Sequence, residues 1–124
     1  MIGNNNFKVG LYIRLSRDDG NIESDSIVSQ RSLLNQYVKE NDYIVVDEYV
    51  DDGFSGTNFD RPAFIRMMND IKIGKINMII TKDMSRLGRD YIGTGELIEK
   101  YFPNNNIRYI AINDGIDTFI DNTN

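Results

Sequence analysis

The sequence predicts an α/β fold: a three-layer α/β/α sandwich built on a mainly parallel central sheet of four to five strands. Three observations lead there. Four short apolar stretches with strand character alternate with three segments whose apolar residues recur at helical spacing. The 124 residues suit a single core and carry no repeat, low-complexity linker or second-domain boundary. Hydrophobic content of 40% and charged content of 27% are ordinary for a globular chain, and no apolar run approaches the ~20 residues of a membrane span.

The first strand is "FKVGLYIRLS", where Phe7, Val9, Leu11, Ile13 and Leu15 alternate with Lys8, Gly10, Tyr12, Arg14 and Ser16. Side chains two apart share a face, so Tyr12, Arg14 and Ser16 project together at its C-terminal end. A helix follows in "ESDSIVSQRSLLNQYVKEN", capped by Ser24 or Asp25, with Ile27, Leu34 and Val38 on one face. Gln30 interrupts that apolar stripe and must find a partner, for which the end of the first strand is the nearest candidate. "YIVVDEYV" is a second strand, closed by the turn-rich "DDGFSGTNFD".

The second helix is "RPAFIRMMNDIKIG", with Pro62 in its first turn, Phe64, Met68 and Ile71 on one face, and Gly74 at its end. "INMIIT" is continuously apolar and is expected at the centre of the sheet. A third helix should run from Asp90 to Phe102, weakened by Gly93 and Gly95 and stopped by Pro103. "IRYIAI" is the fourth strand, and "NDGIDTFIDNTN" a polar end with no element of its own. In such a fold ligands bind beyond the strand C-termini, where Ser16, the loop around Ser55, and Lys82 all fall.

Composition narrows the chemistry. Without cysteine or histidine there are no disulfides, thiolate nucleophiles, Ser-His triads or His/Cys metal sites. The N-terminus lacks the pattern of a secretory signal, and together with the missing cysteines this gives a cytoplasmic expectation. A net charge of −5 argues against coating nucleic acid by bulk electrostatics, so a polyanion must be met locally.

The local candidate is "KDMSRLGRD". Lys82, Arg86 and Arg89 stand four and three residues apart, so one helical turn would align them beside Arg14 and Ser16, although Gly88 weakens that helix. The plain alternative is a solvated face balanced by Asp83 and Asp90. Arg14, near the end of a buried strand, needs an anion: a ligand phosphate, or an internal carboxylate from Asp18, Asp19 or Asp51. A lone loop serine usually bonds local backbone, but Ser16 beside several guanidinium groups is a candidate nucleophile. Arginine forks bind phosphate oxygens and stabilise the charge that grows as a hydroxyl attacks a phosphodiester. Such a site calls for no metal and no cofactor, because the arginines take the role of a cation. The acids of "RDD" and "VDDG" supply magnesium-type oxygens or, more simply, solvated turns.

Together "YIRLS", "SQRSLLNQ", "DDGFSGTNFDRPAF", "KDMSRLGRD" and "YIAINDGIDT" resemble, in order and over nearly the whole chain, the catalytic domain of the serine recombinases of the resolvase and invertase superfamily. "DDGFSGTNFDRP" and "INDGIDT" are most similar to the large serine recombinases, including bacterial transposon and phage integrases. The resemblance implies a resolvase-like fold and site-specific DNA recombination through a covalent 5'-phosphoserine intermediate, without metal or ATP. By motif position Ser16 would be the nucleophile, and Arg14, Arg86 and Arg89 would bind the scissile phosphate. Arg61 matches a further active-site arginine and Gln30 the helix glutamine near the nucleophile. Tyr12, Lys82 and Asp83 are expected to line the substrate side of the site.

Two departures from the family pattern matter. Many members carry aspartate before the first arginine of "RLGR", where this chain has Ser85 and, two residues earlier, Asp83; Asp83 and the arginines are candidates for handling the serine proton. Residues 1–124 are also expected to be an N-terminal catalytic piece without the interface helix and DNA-binding domains through which the family binds double-stranded DNA sites and assembles as dimers and tetramers. Alone it should bind DNA weakly and recombine little. The rival readings are a receiver-like signalling module, using strand-end aspartates and magnesium, and a catalytically idle assembly module.

Overall fold

A computed structural model of the chain describes residues 6–17 and 25–121. Five strands form one sheet in the order β2-β1-β3-β4-β5. Strand β1 (Lys8–Leu15) is flanked on both sides, pairing in parallel with β2 (Ile44–Asp52) and with β3 (Met78–Thr81). Strand β4 (Arg108–Ala111) extends the parallel set beyond β3, and the two-residue β5 (Ile116–Asp117) closes it antiparallel. The expected sandwich is therefore present, and "INMIIT" does supply the central strand, all four β3 residues being buried. The chain leaves β1 in one direction toward β2 and later returns on its other side as β3. The crevice at that reversal, outside the strand C-termini, is where such sheets bind ligands.

The alternation read in β1 sorts the core into two layers. Val9, Leu11 and Ile13 pack with Met78, Ile80 and Ile110 against Leu34 and Val38 of helix α1 (Ile27–Glu40). On the other face Tyr12, Tyr49, Ile79 and Tyr109 meet Phe64 and Met67 of helix α2 (Pro62–Lys72). Each fully buried large apolar side chain contributes on the order of 1.5–3 kcal/mol.

The buried stripe of α1 is Gln30, Leu34 and Val38, with Ile27 half-buried at its edge. Its cap is neither predicted residue: Ser26 accepts the amide N–H of Ser29 at 3.0 Å. Asp25 serves elsewhere, and Ser24 lies outside the described residues. The inner face of α2 is centred on Met67, with Met68 half-buried beside it, and the helix ends before Gly74, whose φ of 76° needs a residue without a Cβ.

Two expectations fail toward the C-terminus. Pro103 does not stop the third long helix: helix α4 (Tyr91–Glu96) continues through a π-helical segment (Leu97–Tyr101) into α5 (Phe102–Asn104). Phe102 donates to the carbonyl of Leu97, five residues back, and this widened ladder carries the helix past a residue with no N–H to offer. The polar end does form structure. Arg108 grips the Asp117 carboxylate with two bonds of 2.9 and 2.6 Å, Tyr109 donates its N–H to Thr118 Oγ1, and the chain turns into helix α6 (Thr118–Asp121).

Candidate active site

Arg14 is fully buried. Its Nε donates to the carbonyl of Arg86 (3.1 Å), Nη1 to that of Phe54 (3.0 Å) and Nη2 to that of Ser85 (2.5 Å). It thereby ties the β2–α2 loop to the segment after β3. Asp51, its neighbour in register on β2 and one of its candidate carboxylate partners, has its oxygens engaged elsewhere. The Asp51 carboxylate instead accepts the N–H groups of Ala63 and Phe64 in the first turn of α2, and the Tyr12 hydroxyl. Three donors already engage it, so Asp51 is committed to holding α2 and Tyr12. Asp18 and Asp19, the other proposed partners, lie outside the described residues.

The carbonyl of Arg14 is a second gathering point. Gln30 Nε2 donates to it at 3.0 Å and Arg86 Nη1 at 2.9 Å. Gln30 thus finds its partner at the end of β1, as its place on the apolar stripe required, while among the described residues its buried Oε1 has no donor. Ser16, two residues beyond this carbonyl and 6% exposed, stands where β1 has just ended.

The three cations of "KDMSRLGRD" do not share one helical face. Helix α3 (Met84–Leu87) is a single turn capped by Asp83, and Gly88 ends it in fully extended backbone. Lys82 precedes the helix and turns toward α1, where Nζ meets Asp25 Oδ1 at 2.6 Å. Arg86 is 3% exposed and directed at the end of β1. Arg89, beyond Gly88, is exposed and donates its backbone N–H to the carbonyl of Gly56 at 2.7 Å. Gly88 breaks the helix between the two arginines and so separates their directions.

Asp83 and Ser85 meet the Arg86 side chain together. The Ser85 hydroxyl donates to Asp83 Oδ1 at 2.5 Å, and Arg86 Nη2 and Nε approach Ser85 Oγ at 3.3 and 3.4 Å. Asp83 Oδ1 also lies 3.6 Å from Arg86 Nε. Ser85 thus sits between carboxylate and guanidinium.

Arg61 and Tyr12 are both fully buried. Arg61 Nε, Nη1 and Nη2 donate to the Asn58 carbonyl, the Tyr12 hydroxyl and the Leu87 carbonyl at 2.9, 2.8 and 2.8 Å. Burial pushes the Tyr12 phenol well above its ordinary pKa; the Arg61 charge opposes this and the hydrogen bond to Asp51 adds to it.

Sequence reasoning missed Gly56 and Asp25. A Cβ built on Gly56 would stand 2.6 Å from Arg14 Nη2 and 2.8 Å from its Cζ, so only glycine lets the β2–α2 loop close on that guanidinium. The signal was a second glycine in "DGFSG", embedded in turn-forming residues. Asp25 had none, being 57 residues from Lys82. A cleft of about 730 Å³ opens beside Arg89, lined also by Ser85, Tyr91, Ile92 and Ile116, but Ser16, Arg14 and Arg86 do not border it.

Residues 9–124 match the family described as Resolvase, N terminal domain. The chain belongs to the resolvase family. Its fold and homology are those of the serine recombinase N-terminal catalytic domain. Among solved structures, this resolvase-family chain is similar to the N-terminal catalytic domain of TP901-1 integrase, with 34% identity and a TM-score of 0.82 over 90% of this chain and 82% of that one. A resolvase family site-specific recombinase from Streptococcus pneumoniae superposes with a TM-score of 0.72 at 33% identity, covering 94% and 78% of the two chains. A protein of Bacillus subtilis (strain 168) named "Putative DNA recombinase" is 31% identical over 105 residues, 85% of this chain. This chain spans 20% of that relative's length.

Proposed function

We propose that this chain is the catalytic domain of a site-specific DNA recombinase in which Ser16 is the nucleophile. The observation that carries the reading is the convergence on the end of β1: Arg14 is held there by three carbonyls, and its own carbonyl receives Arg86 and Gln30 two residues before Ser16. Groups from four separate segments thus meet at the strand end that Ser16 follows, at the reversal point of the sheet.

In the proposed reaction Ser16 Oγ attacks the scissile phosphorus, the bond from phosphorus to the 3'-oxygen breaks, and the serine proton is lost as the departing 3'-oxygen gains one. The product is a 5'-phosphoserine ester with a free 3'-hydroxyl. Attack of a 3'-hydroxyl on that ester reverses the step, so rejoining conserves the bond and needs no ATP. Arg86 and Arg89 stabilise the charge on the non-bridging oxygens, while Arg14, its guanidinium taken up by three carbonyls, holds the turn that carries them. Arg89 is the exposed member and meets the phosphate first. Asp83, linked to Arg86 through Ser85, and the arginines themselves are the candidates to handle the serine proton. Residues 1–124 act as one catalytic module, with double-stranded DNA as substrate and assembly to dimer and tetramer supplied by the full-length protein.

The test is a nicked suicide DNA substrate presented to the full-length protein, with the adduct digested and the modified residue identified by mass spectrometry. Attachment to Ser16 is expected. Attachment elsewhere, or cleavage that survives Ser16→Ala, overturns the assignment.

A further inference from the structure

We infer that Arg61 and Tyr12 are positioning residues for the turn that carries Arg86 and Arg89, and do not themselves touch the substrate phosphate. The inference rests on the recombinase reading and deepens it. A guanidinium with no exposed surface is costly to bury unless its donors are taken up. All three nitrogens of Arg61 have acceptors inside the protein. Its Cζ also lies 4.8 Å from the centre of the Phe64 ring and 5.1 Å from that of Phe59, so aromatic faces enclose it on the sides left open by the hydrogen bonds.

Those bonds form a chain with two fixed ends. One end is the N-terminus of α2, where Asp51 accepts from Ala63 and Phe64 at 2.9 and 3.0 Å. From Asp51 the chain passes through the Tyr12 hydroxyl, which donates to Asp51 Oδ2 at 2.8 Å and accepts from Arg61 Nη1 at 2.8 Å. The other end is the Leu87 carbonyl, on the residue immediately after Arg86 and two before Arg89. The positive charge of Arg61 and the negative charge of Asp51 compensate one another across the phenol. To reach a phosphate, Arg61 would have to abandon Leu87, Tyr12 and Asn58 at once. Held where it is, it fixes the height of the arginine turn above the sheet by reference to α2, an element anchored in the core through Phe64 and Met67.

The experiment uses full-length protein and a nicked duplex spanning the recombination junction of the parent element. Adduct formation is timed at saturating DNA, and DNA affinity is measured across a salt series, for wild type, Tyr12→Phe, Arg61→Gln, their double variant, and Arg89→Gln as the phosphate-contact comparator. Displacing the arginine turn should slow adduct formation by about ten- to a hundredfold in both single variants. Affinity and its salt dependence should stay at the wild-type level, and the double variant should be no slower than the worse single one, because both break the same chain. Without DNA, the Gly88 amide resonance should shift in Tyr12→Phe.

A fall of about 0.9 in the salt slope for Arg61→Gln, matching Arg89→Gln, would mean that Arg61 contacts a phosphate and would overturn the inference. So would wild-type rates in Tyr12→Phe, a variant that removes one oxygen and decides the matter even where Arg61→Gln fails to fold. Wild-type protein that forms no adduct overturns the recombinase reading itself, a failure visible before any variant is compared.

Discussion

Ser16→Ala removes a hydroxyl and should abolish the covalent DNA adduct in the full-length protein while leaving the melting temperature in place; denaturing gels and calorimetry read the two outcomes. Arg89→Ala and Arg86→Ala should each cost about 2–4 kcal/mol of transition-state stabilisation, as for removal of one preorganised donor. They differ in stability. Arg89 is exposed, and its loss should change unfolding free energy by no more than about 0.5 kcal/mol. Buried Arg86 supports the Arg14 carbonyl, so its removal should register in chemical denaturation as well. Gly56→Ala should depress cleavage without touching DNA, because the added methyl displaces the Arg14 guanidinium. Full activity in that variant would contradict the role given to Arg14. At this scale the sequence was most legible where one residue violated its local pattern: a glutamine on an apolar stripe and an arginine in a buried strand both announced buried polar contacts around the end of β1. It was silent where meaning depended on a partner far along the chain, as with Lys82 and Asp25 or Arg61 and Leu87.

Strands and helices were legible where a period ran long enough to see. Strand β1 alternates over eight residues and α1 repeats its buried face over fourteen, whereas β5 has two residues and no period at all. What specifies β5 is the Arg108–Asp117 fork, nine residues apart and mostly enclosed. Asp117→Ala should therefore destabilise the domain by about 1–3 kcal/mol and raise amide exchange first at Ile110 and Ala111, the residues paired with β5. The alignment of Lys82, Arg86 and Arg89 failed for a related reason: four residues of helix are too few to carry a spacing rule past a glycine. Pro103 misled because the rule that proline ends a helix assumes an ordinary ladder, and the ladder here had already widened.

For the molecule as a whole, the layer order followed from the alternation of element types, and the candidate site is placed where that layer order predicts ligands to bind. What the sequence could not give was which side chains would be hidden. Tyr12, Tyr49 and Tyr109 are all fully buried, and burial is the largest cause raising each phenol above its ordinary value of 10.0, with the Asp70 carboxylate adding to it at Tyr49. The folded chain therefore keeps these protons at a pH where the unfolded chain releases them. Stability from this source is complete below about pH 10 and declines as pH rises beyond it, until the folded phenols also ionise. Denaturant titrations at rising pH, with phenolate absorbance as the probe, should show ionisation coinciding with unfolding. Tyr12→Phe should make the alkaline decline shallower, and an unchanged slope would argue against a shifted Tyr12.

The three carbonyls that hold Arg14 are rivals of any incoming phosphate. A small phosphate ester offers two or three oxygens in exchange for contacts the guanidinium already enjoys, so it gains little by entering. Occupied donors thus make this guanidinium a poor receptor for a free anion, and inorganic phosphate at millimolar concentration should leave strand cleavage untouched.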